Sequence, residues 1–113
     1  MPFLTRSCLL LALALSGSAV AASPQQGYGP ELQGFEYPYP LKQFSFDSQQ
    51  QSLKMGYMDV APTGKANGHT AVLMHGKNFC GATWESSIKA LSSAGYRVIA
   101  PDQIGFCSAS KPA

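Results

Sequence analysis

Charge is scarce in this 113-residue chain: Asp, Glu, Lys and Arg make up 12% of it, about half the ~25% usual for globular proteins. The basic residues beyond Arg6 (Lys42, Lys54, Lys65, Lys77, Lys89, Arg97 and Lys111) stand singly among six acids. That scatter excludes the dense basic stripe of a nucleic-acid-binding domain. Low charge beside 45% hydrophobic residues excludes a chain disordered along most of its length. Histidine occurs twice, at His69 and His75, without the spaced cysteines or carboxylates of a zinc site. A Gly-rich phosphate loop is missing too. No metal, cofactor or nucleic acid is therefore expected, and the length allows at most one small domain.

What is present begins with a targeting signal. Met1–Arg6 carries one positive charge, Cys8–Leu15 is uninterruptedly apolar, and Ser16–Ala22 is built of small residues around Ala19-Val20-Ala21. This is the three-part pattern of a secretory signal peptide, residues 1–22. The apolar run is too short for a spanning helix, which needs ~20 residues, and no membrane anchor is expected after cleavage. Export, periplasmic or secreted, leaves Cys80 and Cys107 in an oxidising compartment. A disulfide between them is then permitted; two buried free thiols are the alternative.

Residues 23–41 form a Pro/Gly/Tyr-rich arm, with prolines at 24, 30, 38 and 40, a density that forbids a long helix or strand. Phe35, Tyr37 and Tyr39 are available to lie on the domain that follows, residues 42–113. Phe44-Ser45-Phe46 and Leu53–Val60 read as an antiparallel hairpin interrupted at Gln49–Gln51. Thr70–Met74 and Val98–Ala100 are short apolar runs without alternation, which suits strands buried on both faces. Between them Trp84, Ile88 and Leu91 share one helical face, with Thr83 as N-cap and Gly95 as stop. The fold class is thus α/β: a hairpin plus one βαβ crossover with a parallel strand pair.

Two loops leave the carboxyl ends of the parallel strands, where open α/β sheets place their ligands. They are His75–Trp84 and Pro101–Pro112. Gly76 is expected to turn the backbone sharply and allow close approach of a ligand. The pair His75-Gly76 with Trp84, followed by Asp102-x-x-Gly105-x-x-x-x-Ser110-Lys111-Pro112, resembles the N-terminal part of the α/β-hydrolase fold. The likeness is to its esterase, epoxide hydrolase and haloalkane dehalogenase branches. The resemblance implies that backbone N–H groups at Lys77 and Asn78 form an oxyanion hole for a small-molecule substrate. It implies loop-organising roles for His75, Gly76, Asp102 and Gly105. It also makes the two strands neighbours, which brings Cys80 and Cys107 within disulfide range. Cys107 departs from the family pattern, standing where a second Gly is common.

A G-x-S-x-G nucleophile elbow is absent: around Ser93, Gly95 follows but Leu91 stands at the first Gly position. With neither elbow nor base histidine, the expectation is an incomplete portion of such a fold, inactive by itself. In full length it would be an exported hydrolase, with a carboxylic ester as the expected substrate. A non-catalytic exported binding module and an inactive gene remnant are the alternatives. N-terminal sequencing of exported protein should find a mature start between residues 22 and 23, or one residue earlier; a start at Met1 with cytosolic retention refutes export.

Overall fold

A computed structural model of the chain describes residues 17–19 and 27–112. The signal-peptide assignment and the start of the arm lie outside them, apart from 17–19. Strand β1 (Leu41–Ser48) and strand β2 (Gln51–Val60) form an antiparallel hairpin, in register from Leu41↔Met58 to Ser48↔Gln51. Gln49 and Gln50 turn it with φ of 50° and 63°. Positive φ at both positions gives a turn whose twist matches paired strands, at a steric cost of about 1–2 kcal/mol per non-glycine residue. The interruption is thus shorter than the sequence indicated, because Gln51 already belongs to β2.

Strand β3 (Thr70–Val72) and strand β4 (Arg97–Pro101) are parallel, and β4 also pairs antiparallel with β2. The sheet order is β1-β2-β4-β3. Arg97 clamps β4 to β2 through a two-pronged ion pair with Asp59, at 2.9 and 2.6 Å. The Arg97 hydrogen bonds hold the Asp59 carboxyl below the usual carboxylate range. The pair is exposed on the Arg97 side, so its contribution to stability is small.

The crossover carries a 3₁₀ turn (Gly81–Trp84) and helix α1 (Glu85–Ser93). Thr83 therefore does not cap α1: Trp84 occupies the N-cap without a side-chain bond, and the Thr83 hydroxyl accepts the Cys80 N–H instead, at 3.2 Å. The 3₁₀ turn in front of α1 displaces the cap by one position. The C-terminal stop is where the sequence places it. Gly95 has φ 98°, its N–H reaches the Ser92 carbonyl and the Tyr96 N–H that of Leu91, both at 3.1 Å. Those paired bonds satisfy helix-end carbonyls.

Ile88 from α1 meets Met58, Val60, Val98 and Ala100 from the sheet to make the buried core, with Tyr37, Tyr39, Trp84, Leu91 and Tyr96 packed around it. One helix covers one face only. The expectation of strands buried on both faces is corrected accordingly: in β4 the α1-facing Val98 and Ala100 are buried, while edge-strand Val72 and nearby Met74 are 56% and 51% exposed. The arm folds back onto the sheet as a chain of edge-to-face rings, Tyr28 on Phe35 and Phe35 on Tyr37. A Glu31–Lys54 ion pair at 2.7 Å ties it to β2. Ile88→Ala should lower unfolding free energy by about 2–4 kcal/mol, the usual cost of emptying a filled core site, with no change in denaturant m-value; a loss below about 0.5 kcal/mol would mean that α1 does not form this core.

Candidate active site

The loop after β3 and the loop after β4 lie side by side, held by hydrogen bonds, a ring contact and a disulfide. Gly76 to Phe79 is a β-turn, closed by the Phe79 N–H on the Gly76 carbonyl at 3.1 Å. The residue that supplies positive φ is Asn78, at 66°, and not Gly76. A Cβ at Gly76 would meet only the Phe79 ring at 3.5 Å, an ordinary contact. The conformational reason expected for Gly76 is therefore corrected: the left-handed residue is Asn78, whose side chain tolerates that region better than most. The backbone amides of Lys77 and Asn78 have no hydrogen-bond partner among the described residues, and both residues are exposed. Next to them is a cavity of about 380 Å³ lined by His75, Gly76, Phe79, Thr83 and Trp84.

His75 is buried and fully engaged. Its Nε2 accepts the Gln103 N–H at 2.9 Å, and Nδ1 lies 2.9 Å from the Gly76 carbonyl. An amide on one side and a carbonyl on the other require the tautomer protonated at Nδ1. The Gln103 side chain closes the ring by donating to the His75 carbonyl at 2.5 Å. Phe106 packs edge-on against the imidazole, with centroids 5.4 Å apart.

Asp102 is 1% exposed. Its Oδ1 accepts the Gly81 N–H at 2.7 Å. Its Oδ2 accepts the Ser108 N–H at 3.0 Å, the Ser108 hydroxyl at 2.5 Å and the Tyr37 hydroxyl. Burying a carboxylate is costly unless donors replace water, and here four donors do so. Burial and the bond to Asp102 push the Tyr37 phenol up to about 12.

Cys80 and Cys107 form a disulfide with Cα atoms 5.9 Å apart, inside the range such a bond requires. Cys107 has φ 50°, so the cysteine holds a glycine-like backbone where the family commonly has Gly. The Asp102 carboxylate lies within 4.8 Å of both sulfurs. The sulfurs are bonded to each other, and the carboxylate oxygens are occupied, so the cluster offers no thiolate ligand. Gly105, with φ 92°, donates to the Ser110 carbonyl at 2.8 Å, closing the β4 loop on itself.

No protein-family model matches the chain. It is 46% identical over 55 residues to the AB hydrolase superfamily protein YfhM of Bacillus subtilis, covering 49% of this chain and 19% of that protein. It is 42% identical over 60 residues to a haloalkane dehalogenase of Mycobacterium marinum, covering 53% and 19%. Among solved structures, a probable hydrolytic enzyme from Pseudomonas aeruginosa superposes with a TM-score of 0.74 at 61% identity, over 77% of this chain and 28% of that one. The matched proteins are α/β hydrolases, and over the matched residues the chain is similar to that superfamily. It spans about a fifth of the length of these curated relatives, and what it contains is the N-terminal portion of the fold, a hairpin plus one βαβ crossover.

Within that hydrolase fold, sequence reasoning brought His75, Gly76, Lys77, Asn78, Cys80, Asp102, Gly105 and Cys107 to the two loops, and the structure places all of them there. It missed Ser108, Tyr37, Gly56 and Gly81. Gly56 accepts the Asp102 N–H at 2.8 Å, and a Cβ there would collide with the Ser108 side chain. The available signal was a lone glycine inside a strand pattern, which marks a close approach. Gly81 is buried, and a Cβ there would stand 2.9 Å from the Ala100 carbonyl and 3.2 Å from Asp102 Oδ1. Gly81→Ala should therefore destabilise the fold by about 1–3 kcal/mol, the range for overpacking, read by chemical denaturation against Gly76→Ala as a control whose Cβ would make only an ordinary contact; equal stability of parent and Gly81→Ala would refute the close packing of the 3₁₀ turn on β4.

Proposed function

We propose that this chain supplies the oxyanion end of an exported hydrolase that cleaves carboxylic esters. The observation that carries the reading is the exposed, unpartnered pair of amides at Lys77 and Asn78 beside the cavity. Amides held in place before reaction stabilise charge that develops on a carbonyl oxygen. The His75–Gln103 bonds before the pair and the disulfide and Asp102 bonds after it hold their loop, so little reorganisation is needed as that charge appears. The nucleophile and base would come from polypeptide beyond the elements described, because these residues carry no G-x-S-x-G elbow. His75 and Asp102 would organise the loops: each has its acceptor positions filled by protein donors, which leaves neither free to take a proton from a nucleophile. Export rests on the leader pattern in residues 1–22 and is consistent with a disulfide.

A second reading has its own support. Haloalkane dehalogenases of Mycobacterium marinum and Paraglaciecola agarilytica are among the similar proteins. A carboxylate nucleophile in the longer protein would turn the same amides toward that chemistry. In the full-length protein, turnover of 4-nitrophenyl acetate and halide release from 1-bromobutane separate the two. Lys77→Pro deletes one proposed donor N–H, and ester turnover should fall about 10²–10³-fold in kcat, as for loss of one oxyanion donor. Unchanged kcat would refute the oxyanion assignment, and halide release without ester cleavage would replace the ester reading with the second one.

A further inference from the structure

The arm reaches into the proposed active site through one atom, the Tyr37 hydroxyl. Tyr37 and Asp102 are 65 residues apart in sequence, yet the phenol donates to Oδ2 of a carboxylate that already holds the Gly81 and Ser108 amides. Gly81 directly follows Cys80, and Ser108 directly follows Cys107. Asp102 therefore grips the chain immediately after each half of the disulfide. Three residues before Gly81 is Asn78, whose amide is one of the two unpartnered donors. The tyrosine is not loosely placed: Phe35 stacks edge-on against its ring at 5.2 Å, and the ring packs on the core. The Glu31–Lys54 ion pair anchors the arm upstream.

We propose that Tyr37 is a positioning residue: its hydroxyl fixes Asp102 and, through the Gly81 and Ser108 amides, holds the loop after β3, which carries both oxyanion donors, against the loop after β4. This inference rests on the oxyanion reading of Lys77 and Asn78. Removing the phenol leaves Oδ2 with its two Ser108 donors, so the carboxylate stays satisfied but gains freedom to tilt. The loss then appears as motion of Gly81 and Ser108, not as unfolding. Asp102 is the charged group that touches Tyr37, and Glu36 and Glu85 line the groove beside it. The bond to Asp102 and its charge favour the protonated phenol, in the same direction as the burial of the ring. Tyr37 should hold its proton to about pH 12. Its contribution to stability is then complete below the ordinary tyrosine value of about 10 and is lost as pH rises through 12.

The test uses the full-length polypeptide and two independent readouts. In the parent protein labelled at tyrosine Cζ, the Tyr37 carbon resonance should titrate near 12; titration at the ordinary tyrosine value of about 10 overturns the proposal. In Tyr37→Phe, amide hydrogen exchange at Gly81 and Ser108 should quicken about tenfold, the scale of one hydrogen bond to a charged group, while amides of the β1–β2 hairpin keep parent rates. With 4-nitrophenyl acetate, kcat should fall by a similar factor at unchanged KM. Unchanged exchange at Gly81 and Ser108, or an equal rise at every amide, overturns the positioning role. If Tyr37→Phe fails to fold, the parent titration alone decides. If the parent turns over no ester, the exchange experiment still judges Tyr37, and only the ester reading falls.

Discussion

A buried carboxylate is the constraint around which the two strand-end loops and the arm are arranged. Asp102, at the end of β4, receives N–H or O–H donors from the crossover, from its own loop and from the N-terminal arm. Each of these segments lies outside the strands of the sheet. An acceptor with two oxygens can serve them all at once, and at a buried site its hydrogen bonds are worth more than at the surface. The same constraint dictates glycine at two distant positions. Gly81 must bring its amide against the carboxylate beneath the Ala100 carbonyl, and Gly56 must leave room for the Ser108 side chain. Neither needs glycine for conformational freedom; both need it for the absence of a Cβ.

The disulfide acts on the same two loops from outside. Cys80–Cys107 joins them covalently, and Phe106 against His75 joins them again through ring contact. Left-handed backbone at Asn78 and Cys107 is the cost of this arrangement, since neither residue favours that region as glycine does. Strain of this kind persists only where surrounding contacts over-determine it. The His75–Gln103 bonds on one side and the Asp102 bonds on the other supply that determination. Lys111 adds to it by donating to the carbonyls of Cys107 and Ala109, at 2.7 and 3.0 Å.

Much of this was legible in the sequence, because its signals are local. The hairpin, the crossover, the Trp84–Ile88–Leu91 face and the Gly95 stop all follow from periodicity and punctuation. The two strand-end loops were legible because their His-Gly and Asp-x-x-Gly patterns fall at matching places in a βαβ unit. What could not be read depends on tertiary register. Ser108 looks like any loop serine until Gly56 is seen opposite it, and Tyr37 looks like any arm aromatic until the arm's path is known. The 3₁₀ turn at Gly81–Trp84 was hidden for the same reason: it follows from pulling the Gly81 amide onto Asp102, not from the propensities of Gly-Ala-Thr-Trp. The exposure of Val72 has a different cause, since an apolar run states that a strand is suited to burial and not what covers it.

The arrangement also limits what chemistry this end of the fold can perform. A general base needs a lone pair that points at a substrate proton. The His75 Nε2 lone pair already accepts the Gln103 amide, and its other nitrogen is turned to a carbonyl. Asp102 has donors on both oxygens, and to release one it would have to open a loop or detach the arm. Converting either residue to proton transfer would therefore dismantle the geometry that positions its neighbours. Among the described residues, the backbone amides of Lys77 and Asn78 and the buried indole N–H of Trp84 have no hydrogen-bond partner, and all three can donate but not accept. A site of that kind is suited to stabilising negative charge generated by a reaction whose nucleophile stands elsewhere. His75 and Asp102 are thus committed to holding the loops together, beside main-chain donors that have no partner among the described residues.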